Sequence, residues 1–475
     1  MGRQRPRKGE SVLPKIVAAA VSGLAAVLAT AVPAQAAAVA TGRSAPQNPF
    51  TAPAGGASTH GDSASAKTFT GRGPAGSTSR VTRYNLLAAC PTLLHGSDKA
   101  LLALCTEYLG QAPVLKLIDK GGSGTLASLP IAKGSLLGGV YAYLDDRNQV
   151  VIVDGNRDLL RIAHTSDSLT VTSRLSLAGA IASDDAVVGV IPAYDGRVWF
   201  VTAAGTVGAA DTATGAIATH RLPAGETVAN SISTAPGRFA VTSDHALYVF
   251  DTTAAVPAPR WRYTYDRGAA RKPGQLSWGS GATPVFFGPV TGYEYVAITD
   301  NADPHLNLIV LPTDGPANPV CVQPLFTDLA ASGTENAPVA VGRSVFITNT
   351  YGYDYPKLPD GAGTSVPADA DFTGGLTRID VNAAGTGCAV TWRTGTRSAA
   401  LPRLSVTDGK LYTVIQDGLL NGFSLTAVDS GTGAVSDRTF LGYGLVDPLQ
   451  TAGTVIDRTY YQGTVTGLLR ITPGS

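Results

Sequence analysis

AVVGVIPAYDGRVWFVTAAGTVGAADTATGAIATHRL, residues 186–222, contains four short runs rich in Val, Ala and aromatic residues, parted by Asp-Gly, Ala-Gly and Thr-Gly. Runs this short, bounded by turn-forming pairs, read as four antiparallel strands. Residues 140–177 and 231–266 divide the same way, and three more such units follow near 281–326, 335–393 and 402–441. The chain ends on TAGTVIDRTYYQGTVTGLLRI (451–471), which supplies only about three strands. Four strands recurring at about 35–60 residues indicate an all-β fold, a β-propeller of four-stranded antiparallel blades. Seven blades are expected over 113–475, with six or eight left open by the strand count at the two ends. TLASLPI (125–131) is the expected fourth strand of the last blade, closing the ring so that no sheet edge is exposed.

Composition agrees. The chain has 55 Gly and 30 Pro but only 15% charged residues, which suits many turns and short strands better than helix bundles. The net charge is +1 and no basic cluster follows the N-terminal region, which argues against nucleic-acid binding. Residues 1–36 combine a basic start, an apolar run and a small-residue end at Ala36, the pattern of a secretory signal peptide. A retained membrane anchor is the competing reading of that run; otherwise the mature protein is expected to be secreted, extracellular and without stable membrane insertion. The excess of Arg over Lys suits a GC-rich, bacterial genome. Residues 37–80, almost entirely Ala, Gly, Ser, Thr and Pro, are expected to form a flexible leader, since they carry little to bury against the entropy of ordering.

Residues 81–112 contain ALLALCTEYL (100–109), apolar on more than one side, with Ser97 and Asp98 suited to a helix start. This segment is expected to be a small helical clip. Four cysteines in an exported chain favour disulfides, and proximity in sequence pairs Cys90 with Cys105 and Cys321 with Cys388.

AADTATGAIATHRL (209–222), VFDTTAAVPAPRWRYTYD (249–266) and AVDSGTGAVSDRTF (427–440) resemble the repeat of quinoprotein-like (PQQ-like repeat) β-propellers. Asp211, Asp251 and Asp429 match its turn-opening Asp, and Trp261 its docking tryptophan. That family includes quinone enzymes and cofactor-free scaffolds. The missing vicinal cysteines and the scarcity of docking tryptophans argue against PQQ here.

The most decorated stretches are 271–307, RKPGQLSWGSGATPVFFGPVTGYEYVAITDNADPHLN, and 333–356, GTENAPVAVGRSVFITNTYGYDYP. In a propeller their polar loops, with ALPRLS (400–405) and GYGLVDP (442–448), belong to one rim around the tunnel. The expected ligand-binding residues are Trp278, Asp300, Asn301, Glu335, Asn336, Asn349, Tyr351 and Tyr353, joined on the same loops by Asp354 and Tyr355. The aromatic rings would stack on a sugar or another flat ligand. Asp300, Glu335 and Asn336 are a candidate calcium set, since carboxylates mixed with amides are hard oxygen ligands. That rim resembles the mouth of calcium-dependent lactonase propellers. His305 beside Asp303 is the candidate general base. Two function classes result: a secreted propeller binding a small molecule, glycan or protein at its mouth, or an enzyme on the same rim, either a calcium-assisted hydrolase or lactonase or a quinone-dependent oxidoreductase.

Overall fold

The computed structural model describes residues 42–474 except 54, 75–78, 135–140, 360 and 419. The expected signal peptide lies outside the described residues. Among the described residues, no helix is long and apolar enough to cross a membrane.

Among the described residues the strands form eight sheets, each a four-stranded antiparallel blade of a propeller, one of which gains the parallel strand Thr68–Phe69. Blade 1 spans 88–130, blade 2 143–176, blade 3 187–221, blade 4 233–264, blade 5 285–324, blade 6 339–394 and blade 7 403–442. Blade 8 takes three strands from 454–472 and its outermost strand, Arg80–Asn85, from near the start of the chain. In each blade the chain runs outward from the tunnel, and the second and third strands are buried on both faces, as in Val198–Thr202 and Thr206–Ala210. Stacking between blades covers both faces, so these strands read as continuous apolar runs rather than alternating ones. At the contact of blades 3 and 4, the fully buried Trp199 lies 4.7 Å from Phe239, centroid to centroid. Outermost strands, such as Leu169–Ser176, are largely exposed.

The ring has eight blades rather than the expected seven, and the helical clip does not exist. Ala88–Leu94 and Leu101–Glu107 are the first two strands of blade 1. Leu101 to Cys105 are all buried, and periodicity cannot separate a short apolar run buried on both faces from a buried helix. Among the described residues the sole helical element is the short turn Gly444–Val446. Ring closure differs accordingly: Arg80 pairs with Thr472 and Asn85 with Gly467, while Thr125–Pro130 is the outermost strand of blade 1. Both expected disulfides are present. Cys90–Cys105 joins the first two strands of blade 1, and Cys321–Cys388 joins the outermost strands of blades 5 and 6.

Within the expected flexible leader, residues 48–53 and 55–71 form a plug inside the ring. Innermost strands present unpaired backbone groups to the tunnel, and the plug pairs with them around the circle. Gly56 O accepts from His95 N, Ala57 O from Leu144 N, Ser63 O from Thr234 N and Ala64 O from Phe286 N. Ala66 O accepts from Ala340 N and Lys67 O from Leu404 N, and Thr68–Phe69 runs parallel to Arg403–Ser405. These bonds, with burial of Ala52, Ala57, Ala64 and Ala66, offset the ordering entropy that composition alone leaves unopposed. At Gly56 the blade wall leaves no room for a side chain. A Cβ on Gly56 would lie 2.2–2.8 Å from three atoms of the His95 ring, itself held by a 3.0 Å bond between Nε2 and Val455 O.

The plug enters beside the hairpin turns of blades 3 and 5, where Asn48 Nδ2 donates to Pro192 O, and reverses at a turn in which Ser58 and Gly61 exchange backbone hydrogen bonds. It leaves by blade 7, where Gly73 N donates to Asp408 Oδ2. Behind the turn, Lys67 is fully buried and donates to Pro338 O at 2.8 Å. Burial pushes its ammonium down to about 7, against the pull of Asp62.

Gly56→Ala should cost about 1–3 kcal/mol in urea unfolding through overpacking against His95. Gly179→Ala, whose Cβ meets nothing within 4 Å, should change stability by less than about 0.5 kcal/mol. Equal effects would contradict the packing of the plug.

Candidate functional site

The loops that enter innermost strands, and those linking second to third strands, open on the face opposite the plug's entry. They enclose a cavity of about 740 Å³ lined by Leu276, Gly281, Thr283, Glu335, Asn336, Tyr355, Leu401 and Gln450, among others. Its floor is the plug turn, which contributes Thr59 and His60. Because the plug fills the tunnel beneath, the cavity is blind.

Glu335 is its central acid. It is half-buried in the wall, and its Oε2 accepts from Leu276 N at 2.8 Å. Gly281 permits that approach, since a Cβ there would lie 2.7 Å from Oε2 and 2.8 Å from the Glu335 Cα. Burial pushes the Glu335 carboxyl up to about 8, opposed by the Leu276 N–H and by the charge of Arg271. His60 shifts the other way: burial, then the charges of Lys67 and Arg403, hold its imidazole well below the usual value. Its Nε2 lies 3.0 Å from Thr283 Oγ1. Burial also raises Asp447, whose carboxylate accepts from the Tyr353 hydroxyl, and raises Tyr141 and Tyr355 in the same wall.

The wall is held by bonds between blades. Asn336 Nδ2 donates to Gln450 Oε1 at 2.7 Å and to Thr348 Oγ1 at 3.0 Å, while Gln450 Nε2 donates to Ser398 O. Arg271 donates to Gln275 O, Ala362 O and Gly363 O, pinning 361–366 over the rim.

Of the expected site residues, Glu335 and Asn336 meet in this cavity, with Asp354 and Tyr355. Trp278 lines a neighbouring cavity of about 650 Å³, where the Arg267 guanidinium sits 3.7 Å from its ring centroid. Asp300, Asn301, Asn349, Tyr351 and Tyr353 line neither. Asp300 closes its own loop, accepting from Asn307 N (2.6 Å), Asn307 Nδ2 (2.7 Å) and Ala302 N (3.2 Å). Asn301 Nδ2 donates to Arg267 O and Ala270 O, and Asn349 Nδ2 to Gly374 O. Tyr353 packs on Tyr355 at 4.8 Å and on Phe372 at 5.4 Å. These are supports behind the wall.

The structure does not bring the three residues of the candidate calcium set together: Asp300 lies outside the cavity that holds Glu335 and Asn336, and both its oxygens take hydrogen bonds from its own loop. Among the described residues no three of His, Cys, Asp and Glu stand where they could share a metal ion. Nor does the geometry form the His305–Asp303 pair: Asp303 Oδ2 accepts from Ala269 N at 2.9 Å, and Oδ1 faces Lys272 Nζ at 3.4 Å. His60, Thr59 and Tyr141 escape sequence reasoning. His60 has no local signal, since only the course of the plug carries it to the floor.

No family model matches the sequence, and no curated protein matches it. Among solved structures, BamB from Moraxella catarrhalis matches with a TM-score of 0.50 at 12% identity, covering 83% of this chain and 98% of that one. Hydrazine synthase of Kuenenia stuttgartiensis matches at 0.43 and 12% identity, covering 69% and 92%. A virginiamycin B lyase from Staphylococcus aureus matches at 0.41 and 13% identity, covering 70% and 93%. The likeness to BamB shows the β-propeller fold alone.

Glu335 links stability to pH. Its carboxyl titrates near ~4.3 when unfolded and about 8 when folded, so the folded chain holds the extra proton between these values. The resulting stabilisation is complete below the lower value, declines across the window and is gone above the upper one. Glu335→Gln keeps an acceptor for Leu276 N–H and should therefore melt above the parent at pH near ~9, with the gap closing towards pH ~5. Asp300, pushed up by burial to about 6, is common to both proteins and cancels. A gap independent of pH would contradict the assignment.

Proposed function

We propose that the protein is a secreted binding propeller whose blind cavity at the tunnel mouth takes a small organic molecule. The observation that carries this reading is the cavity itself: about 740 Å³, closed below by the plug turn and walled by loops of several blades. Small-molecule sites are typically pre-formed concavities of about 300–1,000 Å³ with a few placed polar groups. Two disulfides are compatible with an oxidising, extracellular or periplasmic setting, which supports export.

Membership of the quinoprotein-like repeat family is part of the proposal, and local geometry supports it. Asp211 Oδ1 accepts from Ala213 N and Thr214 N, Asp251 Oδ1 from Thr253 N, and Asp429 Oδ1 from Gly431 N and Thr432 N. Trp261 Nε1 donates to Thr313 O in the next blade at 3.3 Å. Trp392 repeats that dock on Ser430 O at 2.9 Å, from the same outermost-strand position one blade before its partner. Binding without chemistry is the reading preferred, since Asp303 and Asp300 are spent on their own surroundings: Asp303 accepts from Ala269 N and Asp300 from Asn307 N.

Native mass spectrometry of the full chain, equilibrated with extract of its expressing culture, tests the reading. A retained small-molecule mass is expected, and it should be lost in Leu276→Trp, which places an indole in the half-buried cavity wall. No retained mass across a concentration series, or one indifferent to Leu276→Trp, would overturn it.

A further inference from the structure

The mouth cavity is walled largely by apolar side chains, with hydrogen-bonding groups gathered at its floor and its carboxylates, Glu107, Glu335, Asp354 and Asp447, in the wall and at the mouth. Thr59 Oγ1, His60 Nδ1 and Tyr355 Oη are buried at the floor and wall with no partner among the described residues. Each such group left alone has given up its hydration without a partner, so each favours a ligand atom able to donate to it or accept from it. Thr59 and Tyr355 carry hydroxyls that do both; His60, held neutral, donates from one ring nitrogen and accepts at the other.

Charges behind the floor are committed to the protein. Lys67 Nζ donates to Ser65 O and Pro338 O, Arg403 to Gly55 O and Gly453 O, and Asp62 Oδ1 accepts from Ala66 N. Lys357, at the rim, donates to Gln111 Oε1. Leu276, Leu401, Pro356, Pro359, Ala452 and Val465 supply apolar wall. Glu107 and Asp354 are exposed at the mouth, whereas the charges beside the floor, Lys67, Arg403 and Asp62, already bond the protein. A charged group brought down to the floor would lose its hydration without a free counter-charge beside it, a cost that a carbonyl or hydroxyl does not carry.

Resting on the reading of this cavity as a ligand site, we propose that its ligand is an uncharged amphipathic molecule. Its carbonyl or hydroxyl end meets Thr59, His60 and Tyr355, and its apolar body lies along Leu276 and Leu401. The plug is then part of the recognition surface as well as a filler: the segment that closes the tunnel also presents the polar floor.

Three probes with one ring and different heads separate the possibilities: benzamide, benzoate and benzylamine, titrated against the full chain at neutral pH by ligand-observed NMR. Benzamide is expected to bind at least about tenfold more tightly than either ion, consistent with the cost of desolvating a charge. Its binding should weaken several-fold in Tyr355→Phe and disappear in Leu276→Trp. Benzoate or benzylamine binding as tightly as benzamide, and blocked by Leu276→Trp, would overturn the ligand class while leaving the cavity reading intact. Binding by none of the three, or binding that Leu276→Trp does not change, would overturn both. The comparison among probes in the unmodified chain needs no variant to fold.

Discussion

A ring of blades turns the inner edge of every sheet towards a common channel, and those edges carry backbone donors and acceptors that must be paired or hydrated. Here the chain pairs them with itself. Residues 55–71 turn back within the channel and take hydrogen bonds from blade after blade. Filling the channel ties the blades together at the centre, while Arg80–Asn85 closes the ring at the outer rim. The same filling converts an open tunnel into a blind cavity. Architecture and candidate site therefore share one cause.

Most of the ring is legible in the sequence because its blades alternate apolar runs with Asp-Gly and Thr-Gly turns, a local signal. Asp211, Asp251 and Asp429 show it most directly: each accepts the backbone donors of its own turn, so residue type and geometry match without tertiary help. Blade 1 is illegible for a physical reason. Leu101 to Cys105 are buried on both faces, which erases the period-two pattern that marks a half-exposed strand. The plug is hidden more deeply. A run of Ala, Gly and Ser cannot bury enough surface on its own to order, and its partners are strand edges supplied by the rest of the chain.

The site follows the same division. That decorated loops converge on one rim follows from blade connectivity, and Glu335 and Asn336 stand in the cavity they enclose. Which side chains face the cavity and which stand behind it depends on individual rotamers and bonds. Asp300 and Asn349 are as polar as Glu335, yet each spends its side chain on its own loop. Of the aromatic residues, Tyr355 reaches the wall and Tyr353 packs behind it. His60 belongs to the site only because a turn far away in sequence lies under the mouth.

The central claim is that the N-terminal segment is a built-in plug, and amide hydrogen exchange over residues 52–70 of the native chain tests it most directly. The amides of Ala52, Ser58, Gly61, Ser65 and Ala66 donate inside the ring and should exchange as slowly as those of the blade strands. Exchange of the whole segment at the rate of an unstructured chain, with the blades still protected, would contradict the plug and remove the floor from the cavity.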